Sequence, residues 1–286
     1  MKKATRLNKL IIILAFIFGG LLTPVIAQTL NVLTYNIRYD TPRDSLNSWD
    51  NRKDFLISQL NFYEPDVFGT QEGMLHQLRD IDNGLDTYTF FGKGRDDGKE
   101  AGEFSAIFYN TNRIELLDAR TFWLSETPEI PSKGWDAAIK RVCTYGKFRS
   151  KKDKVEFWVF NTHFDHIGQQ ARKESILLIL QKIAEINSEA LPVILMGDLN
   201  LQPQHESIMY LASRMEDSYT AAGKNSFGPA GTFNGFKFNE PVINRIDYIF
   251  TSKGDFSVLK NAILSDSKDC RYPSDHLPVY ARLRLN

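Results

Sequence analysis

Residues 191–200 read Leu-Pro-Val-Ile-Leu-Met-Gly-Asp-Leu-Asn, an unbroken apolar run that ends abruptly in Gly-Asp-Leu-Asn. A short continuous apolar run with β-branched residues reads as a strand buried on both faces. Asp198 and Asn200 at its end fit a turn in which side chains bond their own backbone. They fit equally a site at the carboxyl end of a strand, where open α/β architectures place their chemistry.

Working outward, the same pattern recurs. Leu30–Arg38 (LNVLTYNIR) is a strand ending at Asn36, Asp66–Glu72 (DVFGTQE) one ending at Glu72, and Val155–Phe164 one ending at His163. Arg245–Thr251 carries Asp247 in RIDYIF, and Asp275-His276 stand in SDHLPV just before a strand at Leu277–Leu285. Further strands are expected at Asp86–Gly92, Glu103–Asn110, Arg113–Leu117, Arg141–Ser150 and Phe256–Leu264. Helical spacing marks Trp49–Tyr63, halted by Pro65, together with Met74–Ile81, Ile167–Asn187 and Gln204–Ser213. The glycine-rich, charged stretch Gly92–Gly102 lacks the GK[ST] ending of a phosphate loop and reads as a mobile rim.

Each of these polar strand ends has a structural explanation when taken singly. In combination, TYNIR, QE, NTH, GDLN, RIDYIF and SDHLPV resemble the endonuclease/exonuclease/phosphatase superfamily over nearly all of residues 30–286. The resemblance implies an α/β (α+β) four-layer sandwich of two mixed β-sheets packed face to face and flanked by helices. It also implies metal-dependent phosphoester hydrolysis. By the same resemblance Glu72, Asn36 and Asp275 are metal residues, with oxygen ligands that suit Mg²⁺ or Mn²⁺. Asp198 handles the attacking water, Asn200 and His163 contact phosphate, and His276 pairs with Asp247. His163 is expected to pair with Glu103, whose alternative is a solvated strand start. Which histidine acts as acid and which as base stays open.

Outside the shared motifs, Arg38 lies two positions beyond Asn36 and so shares its face, which suits contact with an anion. Arg141 opens a strand from which it can reach a phosphate. Trp49 and Arg52, at i and i+3 of a helix start, read as an aromatic under a guanidinium. Phe227, Phe233 and Phe236 read as an aromatic platform or as core.

The whole chain has 286 residues, 42 % of them apolar, and no internal repeat or linker. One domain over residues 28–286 is the simplest division. Lys2, Lys3, Arg6 and Lys9 precede an apolar stretch to Ala27, the pattern of a cleavable signal peptide over residues 1–27, with an uncleaved anchor as the alternative. With no lipoprotein cysteine at the junction, a periplasmic or secreted protein is expected, without a transmembrane segment after signal removal. The remaining chain carries 31 basic against 35 acidic residues, a net charge of −4. That balance lacks the basic footprint of a tight nucleic-acid binder, so a phosphorylated small-molecule, sugar-phosphate or lipid-like substrate is favoured and a secreted DNA/RNA nuclease is the alternative. A non-catalytic binding protein would have lost part of the motif set. The two cysteines, Cys143 and Cys270, either pair or stand as separate thiols.

Overall fold

The computed structural model describes residues 29–286, so the expected signal segment lies outside the described residues. The strands are β1 (Thr29–Asn36), β2 (Val67–Gly73), β3 (Tyr88–Phe91), β4 (Phe104–Asn110), β5 (Ile114–Trp123), β6 (Val142–Ser150), β7 (Glu156–His163), β8 (Val193–Asp198), β9 (Met215–Asp217), β10 (Ser226–Phe227), β11 (Asp247–Ser252), β12 (Phe256–Ile263) and β13 (Val279–Leu285). The helices are α1 (Trp49–Tyr63), α2 (Leu75–Asn83), α3 (Gln169–Ile186), α4 (Glu206–Arg214) and the short α5 (Ser218–Ala222).

The strands form a seven-stranded sheet in the order β10-β12-β13-β1-β2-β4-β3 and a six-stranded sheet in the order β5-β6-β7-β8-β11-β9. Both are mixed: β1 runs parallel to β2 and β7 to β8, while β1–β13, β2–β4 and β8–β11 are antiparallel. Alternate residues of the central strands, including Val32, Val67, Val159, Met196 and Ile249, pack between the sheets. The opposite face of the first sheet takes Leu56 and Leu60 of α1 and Leu78 and Ile81 of α2. That of the second takes Ile176 and Ile179 of α3 and Ile208 and Leu211 of α4. Central strands with both faces covered read as continuous apolar runs, which explains the stretch at 193–196. The four-layer sandwich expected from the sequence is the observed fold.

A polar network crosses the apolar gap. Gln71 Nε2 donates to Asn161 Oδ1 at 2.6 Å, and Asn161 Nδ2 donates to the carbonyls of Thr70 (2.9 Å) and Ala106 (2.8 Å). The absence of a side chain at Gly69 leaves room for it, since a Cβ there would lie 2.5 Å from Asn161. A network of this kind ties the two sheets together in one register.

Several local expectations need correction. The stretch Gly92–Gly102 folds back on itself, with Gly94 N to Lys99 O at 3.0 Å and Arg95 N to Glu103 O at 3.1 Å, and Lys140 Nζ holds the Asp96 carbonyl at 2.8 Å. β5 runs to Trp123 rather than stopping at Leu117, because a bulge between Leu116 and Asp118 carries this edge strand on. α4 starts at Glu206, where His205 Nδ1 accepts from Ser207 N at 3.2 Å as the N-cap. Cys143 is buried, Cys270 is exposed, and both are free thiols.

Candidate active site

Strand register builds half the site directly. β7 pairs with β8 so that His163 lies opposite Asp198, and β11 pairs with β8 so that Asp247 lies opposite the same residue. Residues opposite one another share a face. Asp198 lies two places beyond Met196, and Asp247 two before Ile249, so the row points into the gap between the sheets. The site is therefore the open end of the inter-sheet core. Gly197 is required beneath it: its φ is +145° and a Cβ would meet Thr162 O at 1.9 Å.

The other half comes from the first sheet. Asn36 ends β1 on the face of Val32 and is fully buried. Its Nδ2 donates to Glu72 Oε1 at 3.1 Å and to Asp198 Oδ2 at 3.0 Å, bridging the two sheets. Strict alternation would send Glu72, next to inward Gln71, to the outer face. A register shift between Thr70 and Gly73 and a left-handed φ of +64° at Glu72 turn its carboxylate back. Arg38 (φ +58°) and Asn200 (φ +50°) are left-handed too. Non-glycine residues held there cost about 1 kcal/mol or more each and cluster at functional sites.

His276 Nδ1 bonds Asp247 Oδ2 at 2.9 Å, leaving Nε2 3.8 Å from Asp198 Oδ2. Burial alone would lower the imidazole pKa, but the Asp247 and Asp198 charges outweigh it and hold His276 well above its ordinary value. His163 goes the other way: burial, reinforced by Arg141 and Arg95, pushes it well below, so it is neutral. Asn200 Nδ2 donates to Phe164 O (3.0 Å) and meets His163 Nε2 at 3.1 Å, which makes that nitrogen an acceptor and puts the proton on Nδ1. Asp198 accepts from Asn200 N (2.9 Å), and burial together with Asp247 raises its carboxyl to about 7. One row thus holds a charged imidazole, a carboxyl near neutrality and a neutral imidazole, an arrangement suited to proton transfer.

Arg38 is forked onto Asp44, at 2.9 and 3.0 Å, with its guanidinium 3.9 Å from Glu72 and 3.8 Å from Asp275. Asp275 is buried, and burial pushes its carboxyl up, with Glu72 adding to the rise. Buried Asp275 and half-buried Glu72, both drawn to one cation, fit a divalent ion with oxygen ligands. A second convergence, Asp198, Asp247 and His276, has ligand atoms within 4.8 Å of one another, but His276 Nδ1 is there committed to Asp247.

The expected pairing of His163 with Glu103 is not the arrangement found. Glu103 is forked onto Arg95, Oε2 to Nη1 at 2.6 Å and Oε1 to Nη2 at 2.8 Å, and burial raises its carboxyl to about 7. Arg95, Glu103, Arg141, His166, Tyr39, Phe233 and Ile246 line a 570 Å³ cleft with the residues above. Arg95 was not legible as a site residue, because only the closure of its loop brings it to the cleft. Phe233 touches His276 edge-on at 5.1 Å, Phe236 packs over Arg52 at 5.5 Å, and Phe227 is exposed. Arg52 lies 5.4 Å from the Trp49 ring and bonds the Ile37 and Pro273 carbonyls, a structural role.

A two-sheet sandwich with carboxylates, carboxamides and imidazoles gathered at one end of its core defines a metal-dependent hydrolase of phosphoester bonds. The chain belongs to the Endonuclease/Exonuclease/phosphatase family, whose model matches residues 33–276. It is similar to a mannosyl-6-phosphatase of Bacteroides thetaiotaomicron VPI-5482, with 41 % identity, 89 % of this chain and 99 % of that one covered, and a TM-score of 0.83. It is also similar to a further family member from Bacteroides thetaiotaomicron, at 40 % identity, 91 % and 99 % coverage and a TM-score of 0.85. A CCR4-Not complex 3'-5'-exoribonuclease subunit of Mycosarcoma maydis is 22 % identical across 88 % of this chain, which spans 49 % of that relative's length.

Proposed function

We propose that this protein is an exported, Mg²⁺- or Mn²⁺-dependent phosphoesterase acting on a small phosphorylated molecule, a sugar phosphate foremost. The row His163–Asp198–Asp247 with His276 seated on Asp247 carries this reading. The mannosyl-6-phosphatase, at 41 % identity, supports the substrate class. The charged and apolar pattern of residues 2–27 supports export.

Glu72 and Asp275, with Asn36 beside them, are the residues that would hold the metal. When bound, it neutralises charge on the phosphoryl oxygens as a Lewis acid. Asp198 takes a proton from the attacking water as the new P–O bond forms. The bond to the departing oxygen breaks, and His276, held charged by Asp247, supplies that oxygen with a proton. Asp198 then returns its proton to His276 across the 3.8 Å between them, so one water is consumed and both groups are restored. Neutral His163 and Asn200 flank the reacting centre, and a phosphoryl oxygen that takes the Asn200 Nδ2 donor over from His163 Nε2 would be oriented by it.

The exoribonuclease relative favours a second reading as a nuclease. The net charge of −4 beyond residue 27 opposes it, because phosphate-backbone binding draws on clustered lysine and arginine. The test is hydrolysis of sugar phosphates and of DNA and RNA, with Mg²⁺ or with chelator. The Asp198→Ala protein should retain its fold and lose at least about a thousandfold in kcat. Chelator-sensitive turnover of sugar phosphates supports the proposal. Turnover confined to nucleic acid, or an Asp198→Ala protein with near-full activity, overturns it.

A further inference from the structure

Of the arginines that line the cleft, Arg95 and Arg141 have no task in the hydrolysis described above and stand away from the metal residues that Arg38 neighbours. Arg141, immediately before β6, is 5 % exposed; its Nη2 meets His166 Nδ1 at 3.2 Å, and Asp165 lies 3.7 Å from its Nε, beyond hydrogen-bond length. Its Nε and Nη1 are buried with no acceptor among the described residues. Arg95 uses Nη1 and Nη2 on Glu103, and its Nε is likewise buried with no acceptor among the described residues. Both side chains line the cleft that holds Asp198 and His276. Buried N–H donors normally find partners, and these two guanidiniums lie within electrostatic reach of each other. Together they are a fixed patch of positive charge with unused donors.

We propose that Arg95 and Arg141 form an anion clamp that makes this site selective for phosphomonoesters over phosphodiesters, with Glu103 as the positioning residue that aims Arg95. The inference rests on the phosphoesterase reading and deepens it. A terminal phosphate carries nearly two negative charges near neutral pH and offers three strong acceptor oxygens. In a diester one of those oxygens is replaced by an O–C group, with less charge and weaker acceptor strength. A guanidinium held rigid by a second carboxylate matches the first and is poorly served by the second. The loop supports such precision, since its backbone bonds and the bond from Trp123 Nε1 to Arg95 O (2.8 Å) fix the Arg95 main chain independently of its side chain.

The probes are p-nitrophenyl phosphate and bis(p-nitrophenyl) phosphate, compared by kcat/KM in the full protein with Mg²⁺. Wild type should favour the monoester. Arg95→Gln and Arg141→Gln should each cut the monoester-to-diester ratio by roughly 10- to 100-fold, the range for losing a hydrogen bond to a charged group. Glu103→Gln should raise KM for the monoester about tenfold with little change in kcat, as expected of a group that aims a binding residue rather than one that merely supports the fold. A wild-type preference for the diester, or equal losses on both substrates, overturns the clamp while leaving hydrolysis standing. Inorganic phosphate binding to the Asp198→Ala protein, measured by calorimetry, separates the two ideas. If wild type hydrolyses neither probe nor any sugar phosphate yet Arg95→Gln weakens phosphate binding, the clamp survives and the phosphoesterase reading falls. If Arg95→Gln leaves phosphate binding unchanged, the clamp falls.

Discussion

Replacing Asn36 by Ala should be among the most destabilising single changes available in this chain, although the residue lies at the site rather than in the apolar core. Its one Nδ2 donates to two carboxylates on different sheets, Glu72 at 3.1 Å and Asp198 at 3.0 Å, in a fully buried position. A hydrogen bond to a charged group contributes roughly 1.5–3 kcal/mol. Losing both, and leaving buried Asp198 and half-buried Glu72 with no donor between them, should cost about 3–5 kcal/mol. For a chain of this size, with an m-value of about 3 kcal/mol/M, the urea midpoint should fall by about 1–1.7 M. Urea unfolding at pH 7.5 in chelator is the assay. At pH 5.5 the loss should shrink, because burial has already raised Asp198 to about 7 and protonation then relieves the exposed repulsion. A loss below about 1 kcal/mol at pH 7.5 would refute the claim that this amide holds the two carboxylates in place.

Three further outcomes are expected. Burial raises Glu103 to about 7 from its ordinary 4.5, so folding takes up a proton in that window and the wild-type protein loses stability as pH rises from about 4.5 to about 7. Relative to wild type, Glu103→Gln should therefore gain roughly 3 kcal/mol between the two ends of the window, and a flat difference in unfolding experiments would contradict this. Gly197→Ala forces a Cβ to within 1.9 Å of Thr162 O at a φ of +145°, and the thermal midpoint should drop by at least 6 °C, on the order expected for ~3 kcal/mol in a domain of this size. Gly69→Ala should break the Gln71–Asn161 contact between the sheets, a change visible as faster amide exchange in β2 and β7.

Much of the candidate site was legible because its residues flank apolar runs that can only be central strands. Asn36, His163 and Asp198 sit where such a strand ends and Asp247 where one begins, and strand pairing then supplies their proximity. Glu72 was legible only through its motif, since its inward turn depends on a bulge that no alternation pattern reports. Arg95 and the true partner of Glu103 were hidden for a different reason. A polar, glycine-rich stretch looks the same in sequence whether it waves in solvent or closes on itself, and the closing bonds here are backbone to backbone. β5 was cut short because a solvent-facing edge strand carries polar residues such as Asp118 and Arg120 that mimic a turn.

The left-handed backbone at Arg38, Glu72 and Asn200 sets stability and activity against each other. Glycine at any of the three would relax the main chain, yet it would also delete a side chain from the site. Selection for heat resistance alone would find these positions attractive and would leave behind a sturdier sandwich with an idle cleft. Any campaign to harden this enzyme should therefore screen on turnover as well as on melting temperature, and should hold these three residues fixed from the start.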